Sequence, residues 1–307
     1  MNTTTRVVLL LAIACPFSAS LQATDFLVFY LGGQSNMDGF GYSKDLPANL
    51  KVESEIPIFH GNPVGDGDLS GGLGRWSMLR PGHGIGFSSD GIQDQLSNRF
   101  GVEVSLGHRL QQLFPEQKVA LIKYSRSGSS IAEEAAGQFG CWEPDYQKGS
   151  GESAGINQYD HFLKTIRSAL AGRDIDGDGT SDRLIPAGIV WMQGESDAAA
   201  GSEIAGRYEA NLKRLMDLVR AALRADDLAV VIGRISDSGQ DDQDGRVWDH
   251  GDEVRSAQAA FVQNDANAAL VTSTDKYEYS DKWHYDSAGY VDLGKQFADA
   301  LRSLQIP

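Results

Sequence analysis

The stretch Leu27-Val-Phe-Tyr-Leu-Gly-Gly-Gln-Ser-Asn-Met-Asp-Gly-Phe-Gly41 is an apolar run that stops at a glycine pair followed by one serine, Ser35. Residues 28–31 predict a buried strand, because β-branched and aromatic side chains favour the pleated surface of a sheet. The glycines allow tight turns and close approach of the backbone. The stretch therefore places Ser35 at the carboxyl end of a first strand, the edge where open α/β sheets bind ligands.

A base and a carboxylate for this serine occur near the other end of the chain, in Asp281-Lys-Trp-His284. Of the six histidines, only His284 has Asp or Glu three residues before it. One turn of backbone lets Asp281 accept from one ring nitrogen while the other nitrogen faces a hydroxyl. The sequence thus predicts that Ser35, His284 and Asp281 act together.

Residues 1–23 are typical of a cleaved secretory signal, with Arg6, an apolar run over residues 7–14 and small residues up to Ala19 or Ala23. The run is too short to span a bilayer, and no later segment has ~18 consecutive apolar residues. We therefore expect a secreted or periplasmic protein without a transmembrane segment. A lipid anchor on Cys15 is a minor alternative.

Residues 24–307 are expected to form a single domain. Removal of the signal takes Cys15 away and leaves Cys141 alone, so no intramolecular disulfide is expected. The net charge of −15 and the pI near 4.7 argue against a nucleic-acid partner, because phosphates select clustered Lys and Arg. The oligomeric state stays open.

Strand and helix patterns alternate along the rest of the chain. Short apolar runs that end in polar loops predict strands over residues 118–124, 187–192 and 228–232. Helical spacing covers residues 104–114, 159–170, 208–223, 254–262 and 287–304. This alternation is typical of a doubly wound α/β sheet with its site along one edge.

Two Gly- and Asp-rich stretches, residues 44–89 and 237–252, predict irregular loops that border the pocket and set substrate specificity. In the first loop, Trp76 and His83 either face the substrate or pack the loop. The second loop is acidic and is a weaker candidate for cation binding.

Two of the predicted strand ends carry groups that could hold an oxyanion. Gly128, in Ser125-Arg-Ser-Gly-Ser-Ser130, can present a bare backbone N–H. Gln193, in Gln193-Gly-Glu-Ser-Asp197, offers a side-chain N–H. For Glu195 and Asp197 we favour a structural role, as hydrogen-bond acceptors that orient loops or cap backbone groups.

An acidic run, Asp174-Ile-Asp-Gly-Asp-Gly-Thr-Ser-Asp182, resembles part of a calcium-binding loop. Gly179 stands at the sixth position, where the backbone of such a loop turns, but position twelve is Ile185 rather than a bidentate glutamate. The run predicts either a structural calcium site or an exposed acidic turn. The ligands would be Asp174, Asp176, Asp178 and Asp182.

Five short motifs occur in the order seen in SGNH hydrolases of the carbohydrate acetylesterase and sialate O-acetylesterase type, which the chain therefore resembles over nearly all of residues 24–307. The motifs are Gly33-Gln-Ser-Asn-Met37, Ser127-Gly-Ser-Ser130, Trp191-Met-Gln-Gly-Glu-Ser-Asp197, Val254-Arg-Ser-Ala-Gln258 and Asp281-Lys-Trp-His284. The resemblance implies a three-layer α/β/α sandwich of flavodoxin-like type with a mainly parallel central sheet. It also implies removal of O-acetyl groups from sugars without a catalytic metal.

Carried over residue by residue, the resemblance makes Ser35 the nucleophile, His284 the base and Asp281 its partner. The N–H groups of Ser35 and Gly128, with Gln193, would form the oxyanion hole. Ser127 stands where the family often has a second glycine, and the acidic run of residues 174–182 lies outside the shared motifs. Acetylated xylan, other plant or algal polysaccharides and sialic acids all fit as substrates.

Two alternatives accompany this interpretation. Gly194-Glu-Ser-Asp-Ala198 partly matches the G-x-S-x-G turn of α/β-hydrolases, which would make Ser196 the nucleophile. Ala198 replaces the last glycine of that pattern. The second alternative is a secreted carbohydrate- or calcium-binding module that kept the fold without turnover. The intact Ser35, Asp281 and His284 argue against it.

Overall fold

The computed structural model describes residues 23–64, 69–147 and 157–304. The predicted signal segment lies outside the described residues except for Ala23, so Cys15 is outside as well. Cys141 is buried and free. No described helix is both long and apolar enough to cross a membrane.

Strands and helices alternate along the chain. The strands are β1 (Asp25–Gly33), β2 (Gly41–Tyr42), β3 (Pro57–His60), β4 (Trp76–Met78), β5 (Ser88–Ser89), β6 (Asp94–Gln95), β7 (Arg99–Phe100), β8 (Lys118–Ser125), β9 (Arg183–Met192), β10 (Val230–Gly233) and β11 (Ala268–Val271). The helices are α1 (Ser35–Asp38), α2 (Glu103–Leu113), α3 (Gln158–Leu170), α4 (Glu195–Ala199), α5 (Ser202–Gly206), α6 (Tyr208–Leu223), α7 (Gly251–Asn264) and α8 (Ser287–Ser303).

Seven strands form the central sheet in the order β11-β10-β9-β1-β8-β3-β4. Every neighbouring pair is parallel except β3 and β4, so the antiparallel strand lies at one edge. Helices flank the sheet, since α2 packs against α8 while α6 packs against α3 and α7. The predicted α/β class with a mainly parallel sheet is confirmed.

β1 is apolar along its length because both of its faces are covered, as expected for a parallel strand between two helical layers. The rings of Phe29 and Tyr30 are fully buried on opposite faces of the sheet. Phe29 lies 6.2 Å from the ring of Phe114, just after α2, and Tyr30 lies 4.9 Å from Phe162 of α3. The strand that precedes Ser35 is therefore the centre of the core.

The prediction that residues 44–89 form one irregular loop is wrong in part. Pro57–His60 adds a parallel strand beside β8, and Trp76–Met78 pairs with it as the edge strand. Only two apolar residues lie between Pro57 and His60, so the segment shows no apolar run that would predict a strand. Trp76 packs this region: its ring is 5.6 Å from that of Phe59, and its indole N–H donates to Ala169 O at 3.0 Å.

The carboxyl ends of four strands meet at one edge of the sheet. Gly33 of β1 pairs with Ser125 of β8 and Met192 of β9, and Met192 pairs with Gly233 of β10. The loops that follow these strands contain Ser35, Gly128 and Gln193. The topology thus gathers the predicted site residues of three separate segments at one edge.

Candidate active site

Ser35 begins the one-turn helix α1, and only Gln34 separates it from the glycine pair. Gly33 has φ +144°, and a Cβ there would clash with the backbone of Met192, so only glycine fits. Ser35 is 7% exposed. Its N–H is in the first turn of the helix and has no acceptor within the described residues. Its hydroxyl also makes no hydrogen bond to any described residue, so both groups are available to a ligand.

His284 and Asp281 form the predicted pair. The distance from His284 Nδ1 to Asp281 Oδ2 is 2.8 Å, so Nδ1 carries the proton and Nε2 is left as the acceptor. Asp281 Oδ1 accepts the backbone N–H groups of Trp283 and His284 at 2.8 and 2.9 Å. Burial works to raise the pKa of Asp281, but the hydrogen bonds from His284 and Trp283 outweigh it and lower that pKa. The carboxylate is therefore ionised at neutral pH.

Asn36 joins the serine segment to the histidine segment. Its Nδ2 donates to Trp283 O at 3.3 Å, and its Oδ1 accepts from Tyr285 N at 3.5 Å, so it contacts the backbone on both sides of His284. The ring of Phe40 stacks on that of His284, with centroids 3.5 Å apart. These contacts hold the imidazole beside the turn that Ser35 begins. A Ser35–His284 hydrogen bond is absent from the described structure, a common state of unliganded sites.

Glu195 fixes the side-chain amide of Asn36. Its Oε1 accepts from Asn36 Nδ2 at 2.9 Å, and the side chain is 1% exposed. Burial raises the pKa of Glu195, an effect that the Asn36 hydrogen bond opposes. Glu195 Oε2 is buried with no partner among the described residues. The carboxyl group thus positions Asn36, in line with the structural role that the sequence favoured.

Gly128 lies in the loop after β8, and Asp38 holds that loop in place. The Asp38 carboxylate accepts from Ser127 N at 2.7 Å and from the hydroxyls of Ser127 and Ser125. Gly128 has φ +73°, and a Cβ there would run into the ring of Phe139. Its N–H has no acceptor in the described part of the chain. Ser127, the departure from the family pattern, therefore acts as an anchor for the loop.

Asp197 holds the other end of the same loop. Its carboxylate accepts from the backbone N–H groups of Ile131 and Ala132 at 3.0 and 2.9 Å and from Gln193 Nε2 at 2.7 Å. Burial raises the pKa of Asp197, and these three hydrogen bonds work against that rise. Asp197 is a structural acceptor, as predicted.

Gln193 is fully buried, and its amide hydrogens have protein acceptors. One goes to Asp197, and the other is shared, at 3.2 Å each, between Gln34 Oε1 and Ser129 O. Tyr208 OH donates to Gln193 Oε1 at 3.0 Å. The free side-chain N–H that the sequence predicted is not present in this arrangement. Gln193 reaches an oxyanion only if the shared hydrogen leaves Gln34 and Ser129.

Ser196, the alternative nucleophile, lies in α4 after the neighbouring strand β9. It is half-buried, and its backbone N–H donates to Gln34 Oε1 at 3.3 Å. The imidazole of His284 stacks on Phe40, two residues after α1, and no hydrogen bond joins it to Ser196 among the described residues. The contacts of the imidazole thus favour Ser35 over Ser196.

The loop of residues 237–250 connects directly to the histidine segment. Ser236 Oγ is 3.1 Å from Tyr285 OH, Ser238 Oγ donates to Lys282 O at 2.8 Å, and Lys282 pairs with Asp241. A cavity of about 200 Å³ opens beneath this loop, lined in part by Ser236, Arg246 and Trp248. The second predicted specificity loop therefore lies beside the candidate site.

His83, in the first predicted loop of residues 44–89, does not lie at the surface. His83 is 1% exposed, and its Nδ1 lies 3.3 Å from Nδ1 of the equally buried His60. Both rings pack near Phe87. Of the two roles left open for His83, the structure gives the packing role.

The acidic run of residues 174–182 lies elsewhere, before the start of β9. Asp174, Asp176 and Asp182 each have a carboxylate oxygen within 4.8 Å of the others. β9 separates this cluster from Gln193 by ten residues, or ~30 Å. The cluster is therefore independent of the candidate active site.

Residues 25–303 match the family described as "carbohydrate esterase, sialic acid-specific acetylesterase". The chain belongs to this family. The match covers every residue of the candidate site, from Ser35 to His284. The site described above is therefore the candidate active site of a carbohydrate esterase. No curated protein sequence matches the chain.

Solved structures with the same fold include other esterases. An Arabidopsis thaliana protein shares 19% identity with a TM-score of 0.61, covering 92% of this chain and 99% of that one. A carbohydrate acetylesterase from Xanthomonas citri shares 15% identity with a TM-score of 0.58, covering 90% of this chain and 56% of that one. NanS shares 15% identity with a TM-score of 0.56, covering 93% of this chain and 99% of that one. At these identities the likeness establishes the fold.

Proposed function

We propose that this carbohydrate esterase is an exported serine enzyme that removes O-acetyl groups from sugars through an acetyl-enzyme intermediate. Its family supports the carbohydrate ester substrate, and the composition of residues 1–23 supports export. The observation that carries the serine mechanism is the placement of His284. Asp281 and Phe40 fix its ring, and Asn36 ties its backbone to the turn that Ser35 begins.

In the first half-reaction, His284 Nε2 takes the proton of Ser35 as Oγ attacks the acetyl carbonyl carbon. The bond between that carbon and the sugar oxygen then breaks, and the proton on Nε2 passes to the departing sugar hydroxyl. Asp281 stays ionised and stabilises the imidazolium that forms between these two steps. The products are the deacetylated sugar, with its hydroxyl group restored, and an acetyl ester on Ser35.

In the second half-reaction, water takes the place of the sugar. His284 Nε2 removes a proton from the water as its oxygen attacks the acetyl carbon, and the bond to Ser35 Oγ breaks. Ser35 recovers its proton from His284, and the product leaves as acetic acid, which gives up the second proton of the water to solvent and becomes acetate. Each proton transfer within the site uses a group of this chain, so we propose that catalysis requires no metal cofactor.

The negative oxygen of both tetrahedral intermediates would lie between the N–H groups of Ser35 and Gly128, which have no acceptor among the described residues. Preorganised donors of this kind are worth about 10²–10³ in kcat each. We propose Gln193 as a third donor. Its bond to Asp197 at 2.7 Å orients the amide, whereas the hydrogen shared at 3.2 Å with Gln34 and Ser129 is weakly held and can be redirected.

Acetate release from 4-nitrophenyl acetate, acetylated xylan and O-acetylated sialic acid tests this proposal. Wild type, Ser35→Ala and Ser196→Ala are compared, each checked for folding by circular dichroism. We expect activity on at least one acetylated carbohydrate, loss of activity in Ser35→Ala and near wild-type activity in Ser196→Ala. The panel also shows which sugar is preferred.

Two other outcomes would replace the proposal. Loss of activity only in Ser196→Ala would move the nucleophile to α4. Folded wild-type protein that binds a carbohydrate but releases no acetate from any ester would favour a binding module without turnover.

A further inference from the structure

The loop of residues 174–182 brings carboxylate oxygens close enough to share one ion. Oxygens of Asp174, Asp176 and Asp182 lie within 4.8 Å of one another. Ca²⁺ binds oxygen at about 2.3–2.6 Å, so two of its ligands can be at most ~5 Å apart. The three carboxylates therefore fit around a single Ca²⁺. Mg²⁺, with bonds of about 2.0–2.1 Å, would require ligand oxygens within ~4.2 Å of one another.

Asp182 provides a separate sign that a ligand belongs here. Its side chain is buried, with 8% exposed. Oδ2 accepts from Ile175 N at 2.7 Å, but Oδ1 is buried without a hydrogen-bond partner in the described structure. A buried carboxylate oxygen without a donor is unfavourable unless a cation satisfies it. The unsatisfied oxygen belongs to the same carboxyl group that closes the cluster.

Like charges add to this unfavourable state. Asp174, Asp176, Asp178 and Asp182 all lie within this one loop, and three of them form the cluster. Lys118 is the cation that contacts the cluster among the described residues, with Nζ 2.7 Å from Asp176 Oδ2. This one exposed ammonium, together with backbone N–H groups that donate to Asp174, Asp176 and Asp178, faces four negative charges.

We propose that this loop binds one Ca²⁺ ion through Asp174, Asp176 and Asp182, with Asp178 as a further ligand from the exposed side. Ile185 at position twelve removes the bidentate glutamate that gives EF-hand loops high affinity. We therefore expect a dissociation constant in the range of about 10⁻⁴–10⁻³ M, typical of extracellular modules. Such a site would be filled outside the cell.

The ion would stabilise the start of β9 rather than take part in catalysis. The loop leads directly into Arg183, which pairs with Asp25 at the start of β1. Calcium would thus fix the amino ends of the two central strands, ~30 Å along β9 from the candidate active site. The proposal does not depend on the esterase mechanism, because its readouts are binding and stability.

The full chain is first stripped of metal with EDTA. Calorimetry and thermal unfolding then test the site with CaCl₂ as the probe, and MgCl₂ at equal ionic strength is the comparison. The variants are Asp182→Asn and, as a charge-matched control, Asp226→Asn at an exposed position outside the cluster. For wild type and Asp226→Asn we expect one bound Ca²⁺ and a rise in Tm of about 2–4 °C at 5 mM Ca²⁺. Mg²⁺ should give a smaller rise.

Asp182→Asn should lose this calcium-dependent rise. In EDTA it should unfold at or above the wild-type temperature, because Asn Oδ1 can still accept from Ile175 N while one of four like charges is gone. Should this variant fail to fold, Asp174→Asn takes its place with the same expectation for calcium. Wild type with no calcium heat up to 10 mM, or an equal Tm rise in the Asp182 or Asp174 variant, would overturn the proposal.

Discussion

Asn36 contacts both the serine segment and the histidine segment, and it has no charge or reactive group of its own. Its amide bonds the backbone on either side of His284, and Glu195 fixes the amide in turn. The sequence motif contains Asn36 next to Ser35, but no spacing rule relates it to residues 250 positions away. The role of this side chain follows only from the fold.

The pair of Asp281 and His284 is the part of the site that sequence spacing could predict. They are three positions apart, and the side chains meet at 2.8 Å as a single turn of backbone allows. Asp38 and Phe40 show the opposite case. Their contacts, with Ser125, Ser127 and His284, cross between segments whose proximity is set by strand order alone. Sequence reasoning missed both.

Gln193→Met removes the amide hydrogens at nearly constant volume. If the shared hydrogen turns to the oxyanion, kcat should fall about 10²–10³-fold with little change in KM, because the contact exists only in the transition state. Steady-state kinetics on the best ester of the panel measures both constants, and the Tm of the same sample reports the loss of buried hydrogen bonds. A lower Tm with unchanged kcat would show that Gln193 only braces the loops.

Trp283 presents a large exposed ring beside His284, the proposed base. It is 48% exposed, and its ring centroid lies 6.3 Å from that of His284. We predict that the ring stacks on the sugar, so Trp283→Ala should raise KM for an acetylated carbohydrate about 3–10-fold and change kcat less. KM for 4-nitrophenyl acetate, which has no sugar, should change little.

Val52→Ala is the control for Trp283→Ala. Val52 is also an exposed apolar residue, but it precedes β3 and lies near the amino ends of the strands, away from the candidate site. An equal rise in KM for both substrates in Trp283→Ala would contradict the stacking role.

At the scale of elements, long patterns were predictable and short ones were not. α3 was expected over residues 159–170 and is found at Gln158–Leu170, and β8 was expected over residues 118–124 and is found at Lys118–Ser125. The four-residue β10 was predicted because the apolar run of residues 228–232 begins before the strand does, whereas β11 and the β3–β4 pair have no such longer run around them and were missed.

β9 was predicted to start at residue 187 but begins at Arg183. Its first residues pair with Asp25 to Val28, and the register then shifts between Val28 and Phe29. Pro186 lies at this irregularity, where the loss of one backbone donor is tolerated. A proline inside a strand pattern gives a false boundary, and only the pairing with β1 reveals the true start.

Hydrogen bonds to Asp38 connect the one-turn helix α1 to the loop after β8, and these bonds position Gly128. Asp38→Asn keeps the shape but leaves a single acceptor oxygen for the three donors on Ser125 and Ser127. We expect kcat to fall about 10–100-fold, with KM nearly constant, because small misplacement of a donor is costly in the transition state.

Asp299→Asn, which breaks the exposed pair with Arg109 on the surface of α8, is the matched control and should keep wild-type kcat. If Asp38→Asn loses stability yet keeps full kcat, the hydrogen bonds to Asp38 have no part in positioning Gly128.

At the scale of the whole molecule, two buried histidines are expected to make stability depend on pH. Burial, and then the nearby Lys123 ammonium, lower the pKa of His60 well below its usual range and that of His83 to about 3. The Nε2 atoms of both rings are buried without partners among the described residues. Neither ring can take up a proton in the folded state near neutral pH.

In the unfolded chain both histidines titrate near the ordinary pKa of about 6.5. The unfolded state therefore binds more protons below that pH, and stability falls as pH decreases from about 6.5 to 5. The slope should reach about 1.4 kcal/mol per pH unit for each histidine. Urea unfolding at fixed temperature between pH 7.5 and 5 measures it.

His83→Gln should roughly halve this slope, whereas His250→Gln, at a surface position paired with Glu253, should leave it unchanged. A free energy of unfolding that stays flat between pH 6.5 and 5 in wild type would contradict the neutral buried pair.

The central claim is that Ser35 carries the acetyl group during turnover, and trapping that group tests it most directly. Wild-type protein is mixed with excess 4-nitrophenyl acetate, quenched in acid within milliseconds and digested for mass spectrometry. We expect one acetyl group on the peptide that contains Ser35, and none there in Ser35→Ala. An acetyl group on Ser196 or on His284 at the same time point, with the Ser35 peptide unmodified, would contradict it.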